Sequence, residues 1–283
     1  MEITASIQDL IEGDKQLAAL PAIFFQIKEV IEDPESSFFD VSEVISRDPA
    51  LTCRLLRIVN STFYGFPNQI VTISHAIGII GLDQLSDLVL STLVIDQFRE
   101  TPDSVMNMRA FWEHNLACGL AARLIASYKN ELNPERFFVA GLLHDIGQLA
   151  ICLKAPEQAL EAFNLSKSKD CLLHTAESEV LGFDHAAVGD ALLRTWNLPE
   201  IHVETAAHHH KPGEANTHSL AASVIHIADI IAKALDKDIG HETFIPPLDE
   251  HALKASQVGE SIFISTIMRG VVTRFEEAAR VFL

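Results

Sequence analysis

The chain has little of what builds disulfide-rich, zinc-finger or membrane-spanning proteins. Its four cysteines are scattered through 283 residues without short spacings, so neither a disulfide framework nor a structural zinc site is expected. No apolar run approaches the roughly 18 to 20 residues that span a membrane, and the N-terminal MEITASIQDL is too acidic and polar for a secretory signal. These absences predict a cytoplasmic protein with reduced cysteines and no membrane association.

Positive charge is also scarce. The net charge is −18, the sequence pI is near 5.0, and no long stretch is rich in lysine or arginine. Because nucleic-acid backbones are anionic, direct binding to DNA or RNA is not expected. The sequence has no internal repeat, glycine-rich phosphate loop or nucleophile elbow. An anionic metabolite would therefore need a local basic or metal-bearing pocket.

What is present is an apolar chain with helical patterning. Hydrophobic residues make up 48% of it, enough for one large core or two joined subdomains. The apolar spacing is helical almost throughout, which predicts an all-α, multi-helix bundle. A polar joint, RETPDSVMNM from Arg99, divides the chain. We predict an N-terminal helical subdomain over residues 1–103 that packs against a second one over 104–283, whose last segment starts near Asp236.

Capping residues set the expected limits of several helices. One helix is expected over residues 22–31, because the residue before a proline disfavours helix. Asp48 and Pro49 have the pattern of an N-cap and a first helical residue. Ser74 and Asp83 are expected to cap two further helices.

The most informative motif is the adjacent pair His144 and Asp145 in AGLLHDIG, residues 140–147. The surrounding FFVAGLLHDIGQLAICL has the apolar spacing of one largely buried helix. An unpaired buried carboxylate is costly, so Asp145 is expected to neutralise, form a salt bridge or coordinate a cation. A hydrogen-bonded core pair or a helix cap is the alternative to a metal site.

Two further residues lie in similarly apolar surroundings. His114 shares a helical face with small residues that would let another helix come close, namely Ala110, Ala117, Cys118 and Ala121. Asp229 lies within the apolar SVIHIADIIAKAL. Its alternative role is to cap a helix or pair with Lys233.

Histidines downstream of the motif extend the set. His185 follows Asp184, which is expected to be an N-cap, and a solvated first-turn histidine is the alternative there. AAHHHKPG places three consecutive histidines, residues 208–210, at the end of an expected helix that Pro212 closes. Metal binding or an exposed polar turn would explain this run.

Mixed histidine and aspartate donors suit divalent manganese, iron, nickel or zinc. An ion held this way acidifies bound water toward neutral pH, and two close ions can clamp the attacking and leaving oxygens of a phosphate ester. Spacing alone does not show that these residues converge.

The order of these residues resembles the H…HD…D ligand pattern of the HD phosphohydrolase superfamily, through His114, His144, Asp145 and Asp229. Three more histidines resemble those of its two-metal HD-GYP branch, namely His185, His209 and His210. The chain from about Leu20 onward is most similar to the HDOD family, the HD-related output domain of bacterial signalling proteins. The stretches that carry this resemblance are LPAIFFQIKEVIEDP, VISRDPALTCRLLRIVNSTFYG, TISHAIGIIGLDQLSDLVL and WNLPEIHVETAAHHHKP.

The resemblance implies an HD-like helical core in the second half and a two-metal site. His114, His144, Asp145 and Asp229 would hold one ion. His185, His209 and His210 would complete a second site with Asp145 bridging, and His208 would be a neighbour only. No cofactor other than divalent metal is implied, and no catalytic residue is assigned.

The chain departs from active HD-GYP phosphodiesterases in two places. Gln148 stands where those enzymes carry a lysine, and the GYP segment is missing after His210-Lys211-Pro212-Gly213. A lysine supplies a point charge for a substrate phosphate, and a neutral amide does not. Two function classes therefore stay open. One is a signalling module that retains the metal site and recognises a protein partner; the other is a metal-dependent phosphohydrolase or phosphodiesterase acting on a nucleotide or another phosphate ester.

Overall fold

A computed structural model of the chain describes residues 6–12, 17, 19–99, 101, 103, 105–235, 244–259 and 263–283. Within these ranges every regular element is helical, which confirms the all-α fold class. The predicted start of the last segment, near Asp236, lies outside the described residues.

The described α-helices, in chain order, are α1 (Ile7–Ile11), α2 (Ala22–Glu32), α3 (Phe38–Ser46), α4 (Pro49–Val59), α5 (Ile73–Ile80), α6 (Leu82–Phe98), α7 (Met108–Tyr128), α8 (Pro134–Leu143), α9 (Ile146–Lys154), α10 (Pro156–Lys169), α11 (Leu173–Leu181), α12 (His185–Thr195), α13 (Glu200–His208), α14 (Ser219–Leu235), α15 (Glu250–Ser256) and α16 (Arg269–Phe282). A 3-10 turn covers Pro212–Glu214 and a π-helical turn covers Phe263–Met268.

Helix caps agree with the sequence at some positions and differ at others. The Asp48 side chain accepts a hydrogen bond from the Leu51 N–H at 3.0 Å, and Pro49 begins α4, as predicted. The expected caps of the next two helices are wrong. Thr72, not Ser74, caps α5. Asp83 lies inside the first turn of α6, because Gly81, at φ 92°, forms the joint between the two helices.

The predicted continuous helix around the central motif is also wrong. Helix α8 ends at Leu143, and His144 and Asp145 form a turn before α9. His144 keeps helical backbone angles, and Asp145 departs from them at φ −99° and ψ 13°. Periodicity alone does not register this break, because the apolar spacing continues through it. The turn leaves the buried side chains of His144 and Asp145 free to face the interior between several helices.

Helix α7 lies at the centre of the second half and packs against α8, α14 and α16. The close contact with α8 is made at Gly119 and Gly141, two glycines outside the set of small residues predicted from the sequence. A Cβ placed on Gly141 would lie 2.8 Å from the Cα of Gly119, so the two backbones meet at this point. The approach places the rings of His114 and His144 with centroids 5.5 Å apart.

The N-terminal helices and the second half share one hydrophobic core. Phe63, in the loop after α4, packs edge-on against Phe138 and Phe282. Arg123 on α7 donates to the Phe63 carbonyl at 3.2 Å and pairs with buried Glu135 at 2.9 Å. The loop after α4 thus joins the two halves.

The membrane expectation needs correction on one point. By length and composition, Pro134–Lys154 is apolar enough to span a membrane, but 83% of its most apolar window is buried inside the protein. Taken together, α5 and α6 are also long and apolar enough to span a membrane, but the pair is bent by 119°. Long apolar segments here are explained by core packing. All four cysteines are free; Cys118 and Cys152 are buried, whereas Cys53 is exposed.

Candidate metal centre

Seven predicted side chains come together in the second half of the chain. They arrive from five places in the fold: α7, the turn between α8 and α9, the first residue of α12, the end of α13, and α14. Their potential ligand atoms form overlapping groups in which all atoms lie within 4.8 Å of one another. The residues are His114, His144, Asp145, His185, His209, His210 and Asp229.

One set of ligand atoms surrounds Asp229. Its Oδ1 lies 3.1 Å from His114 Nε2 and 3.5 Å from His144 Nε2. Oδ2 of Asp145 completes this set, at 3.7 Å from His114 Nε2 and 3.3 Å from His144 Nε2. Two histidines and two carboxylates therefore face a common point.

A second set lies on the other side of Asp145. His185 Nε2 and His209 Nε2 each lie 3.4 Å from Asp145 Oδ1, the oxygen that the first set does not use. His210 Nε2 lies 2.8 Å from His185 Nε2. Asp145 thus presents one oxygen to each set, the geometry that a bridging carboxylate requires.

Several of these atoms are buried without a hydrogen-bond partner among the described residues. They are His114 Nε2, His144 Nε2, His209 Nε2 and Asp229 Oδ1. Buried polar atoms are ordinarily hydrogen-bonded, so four unpartnered atoms that face one small volume need an explanation. One cation in each ligand set would satisfy them, and the donor set of imidazole and carboxylate suits divalent ions.

The opposite ring nitrogens hold the histidines in the tautomer that ligation needs. His144 Nδ1 donates to the Gly141 carbonyl at 2.8 Å, and His209 Nδ1 donates to the Ala206 carbonyl at 2.9 Å. Because Nδ1 carries the proton in each ring, Nε2 keeps its lone pair for a ligand. Such outer hydrogen bonds usually accompany metal-ligating histidines.

Lys233 is the basic neighbour of the centre. Its Nζ lies 2.9 Å from Asp229 Oδ2, while Asp229 Oδ1 faces the histidines. The lysine pairing considered from the sequence is therefore present together with the ligand geometry. Both Lys233 and Asp229 are buried.

Burial and charge act against each other in this cluster. Burial alone would raise the pKa of Asp145, but the adjacent His144, His185 and His209 hold that pKa well below its ordinary value. Burial likewise works to raise the pKa of Asp229, and Lys233 with the histidines lowers it well below the ordinary value. Both carboxylates are thus anionic near neutral pH, as ligation of a cation requires.

Burial lowers the pKa of His209 and places that of His210 well below its ordinary value, so both rings are neutral. Burial also acts to lower the pKa of His144 and of His185. Asp145, Cys118 and Asp229 together outweigh it at His144, and Glu177 and Asp145 together outweigh it at His185, so both of those pKa values are raised. A cation would take the place of the protons on these two rings.

Three residues beside the centre were not identified from the sequence as part of it. Buried Glu177 accepts from His185 Nδ1 at 2.6 Å. The His174 ring stacks on His210, with centroids 4.0 Å apart. His226 donates from Nδ1 to the His209 carbonyl at 2.8 Å. Helical spacing within α11 puts His174 and Glu177 on one face, but no local signal directs that face toward the centre.

Comparison with known proteins identifies the fold. The family model of the HDOD domain matches residues 17–212, which include His114, Asp145 and His210 but not Asp229. A protein of Treponema pallidum (strain Nichols) is 27% identical over 243 residues, 85% of this chain. That match covers 46% of the relative, so the chain spans about half the relative's length.

Two solved structures have the same architecture over almost the whole chain. An HDOD domain protein of unknown function from Geobacter sulfurreducens is 25% identical with a TM-score of 0.81, and the match covers 98% of this chain and 97% of that one. A proposed phosphohydrolase from Shewanella amazonensis SB2B is 22% identical with a TM-score of 0.75, covering 99% of each chain. The second likeness concerns the fold alone.

Proposed function

The chain belongs to the HDOD family, and from this we propose that it is a regulatory HDOD module built around a centre for two divalent metal ions. The observation that carries the proposal is the placement of Asp145 between two sets of buried ligand atoms, one oxygen toward each set. His114, His144, Asp145 and Asp229 would hold one ion. Asp145, His185, His209 and His210 would hold the other.

A metal at this place would act on the whole second half of the chain. The ligands come from five separate parts of the fold, so a bound ion would hold those parts together, and its binding energy would become folding energy. α7 and α8 also carry Arg123 and Glu135, which hold the Phe63 loop of the N-terminal half. Metal occupancy is thereby coupled to the arrangement of both halves.

Burial of the centre favours a regulatory role over rapid turnover. The side chains of His144, His185, His209 and Asp229 are at most 2% exposed. Asp145 and His114 are 10% and 14% exposed. Gln148, partly exposed on α9, offers no charge to a phosphate.

Signalling by this module would use a protein partner, and the same centre would allow it to sense a phosphorylated small molecule or nucleotide. The ion would be manganese, iron, nickel or zinc, because imidazole and carboxylate donors suit all four. We place the boundary between the two helical subdomains near Asp103 and the protein in the cytoplasm; both remain proposals of the sequence. The high negative charge supports the absence of nucleic acid among its partners.

A second function, hydrolysis of a phosphate ester, is favoured by one observation. The two oxygens of Asp145 face two ligand sets, the arrangement used where paired ions act on a phosphate. When bound, such ions supply an acidified water and neutralise charge on the phosphate. The chain's own contribution would be to position the ions and to exclude bulk water from the buried side of the centre.

The test begins with metal content, measured by elemental analysis on untagged protein. Wild type is expected to hold close to two ions per chain, and His144→Ala and Asp229→Asn to lose one or both. Exposed His75 and Asp83 provide matched controls, since His75→Ala and Asp83→Asn change the same residue types away from the centre. Wild type without metal under every loading condition would overturn the proposal.

Turnover separates the two functions. Metal-loaded protein is assayed against phosphate monoesters, nucleotides and cyclic dinucleotides. A regulatory module is expected to keep its ions and show no turnover. Turnover that disappears in His144→Ala together with the metal would establish the phosphohydrolase instead.

A further inference from the structure

We propose that Glu177 is the positioning residue of the second metal subsite, where it orients His185 and sets the affinity of the second ion. This inference rests on the proposed two-ion centre. Glu177 lies on α11, an element that contributes none of the seven predicted ligands.

Glu177 accepts two hydrogen bonds from His185, the first residue of α12. Its Oε2 accepts a hydrogen bond from the His185 backbone N–H at 2.9 Å and from His185 Nδ1 at 2.6 Å. The carboxylate is buried, with 2% of the residue exposed. Two bonds to one buried oxygen fix both the start of the helix and the plane of the imidazole ring.

The orientation of that ring decides what it can bind. Because Nδ1 donates a hydrogen bond to Glu177, Nε2 faces the second ligand set. Nε2 lies 3.4 Å from Asp145 Oδ1 and 2.8 Å from His210 Nε2. A carboxylate behind a histidine also makes the ring a stronger donor, and such outer partners influence metal affinity strongly.

Glu177 gives His185 a different kind of outer partner from those of His144 and His209. His144 and His209 donate from Nδ1 to backbone carbonyls, which are neutral. At His185 the acceptor is the side-chain carboxylate of Glu177. The second subsite therefore has a source of negative charge that the neutral acceptors behind His144 and His209 do not supply.

The charge balance of the centre points the same way. The second set holds three imidazoles and shares a single carboxylate, Asp145, with the first set. Asp229 belongs to the first set, and Lys233 offsets part of its charge from 2.9 Å. A divalent ion in the second subsite would therefore depend on the charge of Glu177 for compensation.

The rest of α11 covers the same subsite. His174, one turn before Glu177, stacks its ring on His210 with an interplanar angle of 28°. Together these two side chains make α11 the wall behind the second ion.

The test is a metal titration of the full chain with Zn²⁺ by calorimetry, after chelator treatment, comparing wild type with Glu177→Gln. The glutamine keeps the volume and an acceptor oxygen but removes the charge. We expect wild type to bind two ions, and Glu177→Gln to bind the first unchanged and the second about 10- to 100-fold more weakly. Glu179→Gln is the matched control, because Glu179 is exposed on the same helix and pairs with Lys169.

A spectroscopic readout separates positioning from general stability. With Co²⁺ in place of Zn²⁺, Glu177→Gln is expected to need an excess of Co²⁺ for the part of the visible spectrum that appears in wild type with the second equivalent, and to keep the part that appears with the first. Glu177→Asp retains the charge one methylene shorter, and it replaces the glutamine variant if that variant does not fold. We expect it to weaken the second ion as well, because the shorter side chain pulls away from Nδ1.

The outcomes distinguish this inference from the proposal beneath it. Wild type that binds no ion would overturn the two-ion centre itself. Wild type that binds two ions, with unchanged affinities and spectra in Glu177→Gln and Glu177→Asp, would overturn the role of Glu177 alone.

Discussion

Gly147 and His185 meet backbone to backbone: a Cβ placed on Gly147 would lie 2.0 Å from the carbonyl oxygen of His185 and 2.5 Å from the backbone nitrogen of Gly189. The start of α9 and the start of α12 can approach this closely only because residue 147 has no side chain. The approach brings His185 Nε2 to 3.4 Å from Asp145. Gly147 thereby joins the central motif to the second ligand set.

Replacing Gly147 with alanine should separate the two helices. Backbone atoms cannot yield as a flexible side chain would, so we expect Gly147→Ala to lower the free energy of unfolding by about 3 kcal/mol, the upper end of the overpacking range. Metal content should fall with it, because His185 moves away from Asp145. Denaturant unfolding and elemental analysis measure the two effects.

The control for this substitution is Gly78→Ala. Gly78 is exposed within α5, and a Cβ there would meet nothing within 4 Å. Alanine should stabilise that helix by about 0.5 to 1 kcal/mol. Equal stability of Gly147→Ala and wild type would show that the backbone contact tolerates a methyl group.

Removal of metal should destabilise the protein. A ligand present at 100 times its dissociation constant adds about 2.7 kcal/mol to the stability of the state that binds it. For a chain of 283 residues that corresponds to a rise in Tm of about 4 to 5 °C. Calorimetric scans with Mn²⁺ or Zn²⁺, and after EDTA, measure the difference. In His144→Ala the metal-dependent rise should be smaller, and an equal rise there would place the stabilising ion elsewhere.

Buried His202 should make the protein sensitive to acid. Both of its ring nitrogens lack hydrogen-bond partners within the described part of the chain, and burial lowers its pKa to about 3. The unfolded chain binds the proton near pH 6.5 and the folded one does not, so stability falls as the pH drops below about 6.5. From these two pKa values, acidification from pH 7 to 5 should cost about 2 kcal/mol through this residue.

His202→Leu tests this origin of the acid sensitivity. The variant should lose about 2 kcal/mol less than wild type between pH 7 and 5, and should be no less stable at pH 7, because no orphaned nitrogens remain buried. Urea titrations at the two pH values measure both quantities. His75→Leu, at an exposed position on α5, is the control. A His202→Leu protein with the acid response of wild type would contradict the assignment.

The pair Arg123 and Glu135 should be costly to break. Glu135 accepts from Arg123 Nε at 3.0 Å and from Nη2 at 2.9 Å, and their side chains are 17% and 3% exposed. Glu135→Gln leaves the guanidinium without its counter-ion, so we expect a loss of about 3 to 5 kcal/mol.

Hydrogen exchange measures the effect of breaking this pair on the loop after α4, and an exposed ion pair between α10 and α11 provides the control. Because Arg123 also holds the Phe63 carbonyl, hydrogen exchange in the loop after α4 should quicken in Glu135→Gln. Glu179→Gln breaks an exposed pair with Lys169 and should cost less than about 1 kcal/mol. Similar losses in both variants would mean that burial adds nothing at Glu135.

The sequence alone determined the helical fold class and marked the chemistry. Apolar spacing with a period near 3.6 is a local property, so it predicted helices such as α2 and α4 within a residue or two. Asp48 and Asp184 indicated where their helices begin, because an N-cap side chain bonds to backbone N–H groups only a few residues away. The seven candidate ligands were also identifiable, as polar residues in apolar surroundings and by resemblance to a family.

The tertiary structure decided everything that depends on contact between distant segments. The break at His144 and Asp145 is invisible to periodicity, because the apolar spacing continues across it while the packing of other helices turns the chain. Convergence of α7, α12 and α14 on Asp145 is set by close contacts such as that between Gly147 and His185. The contact between Glu177 and His185 depends on the packing of α11 behind His185, which no local sequence pattern indicates. The sequence gives the type of each side chain, but the packing of the whole chain decides which distant residues it contacts.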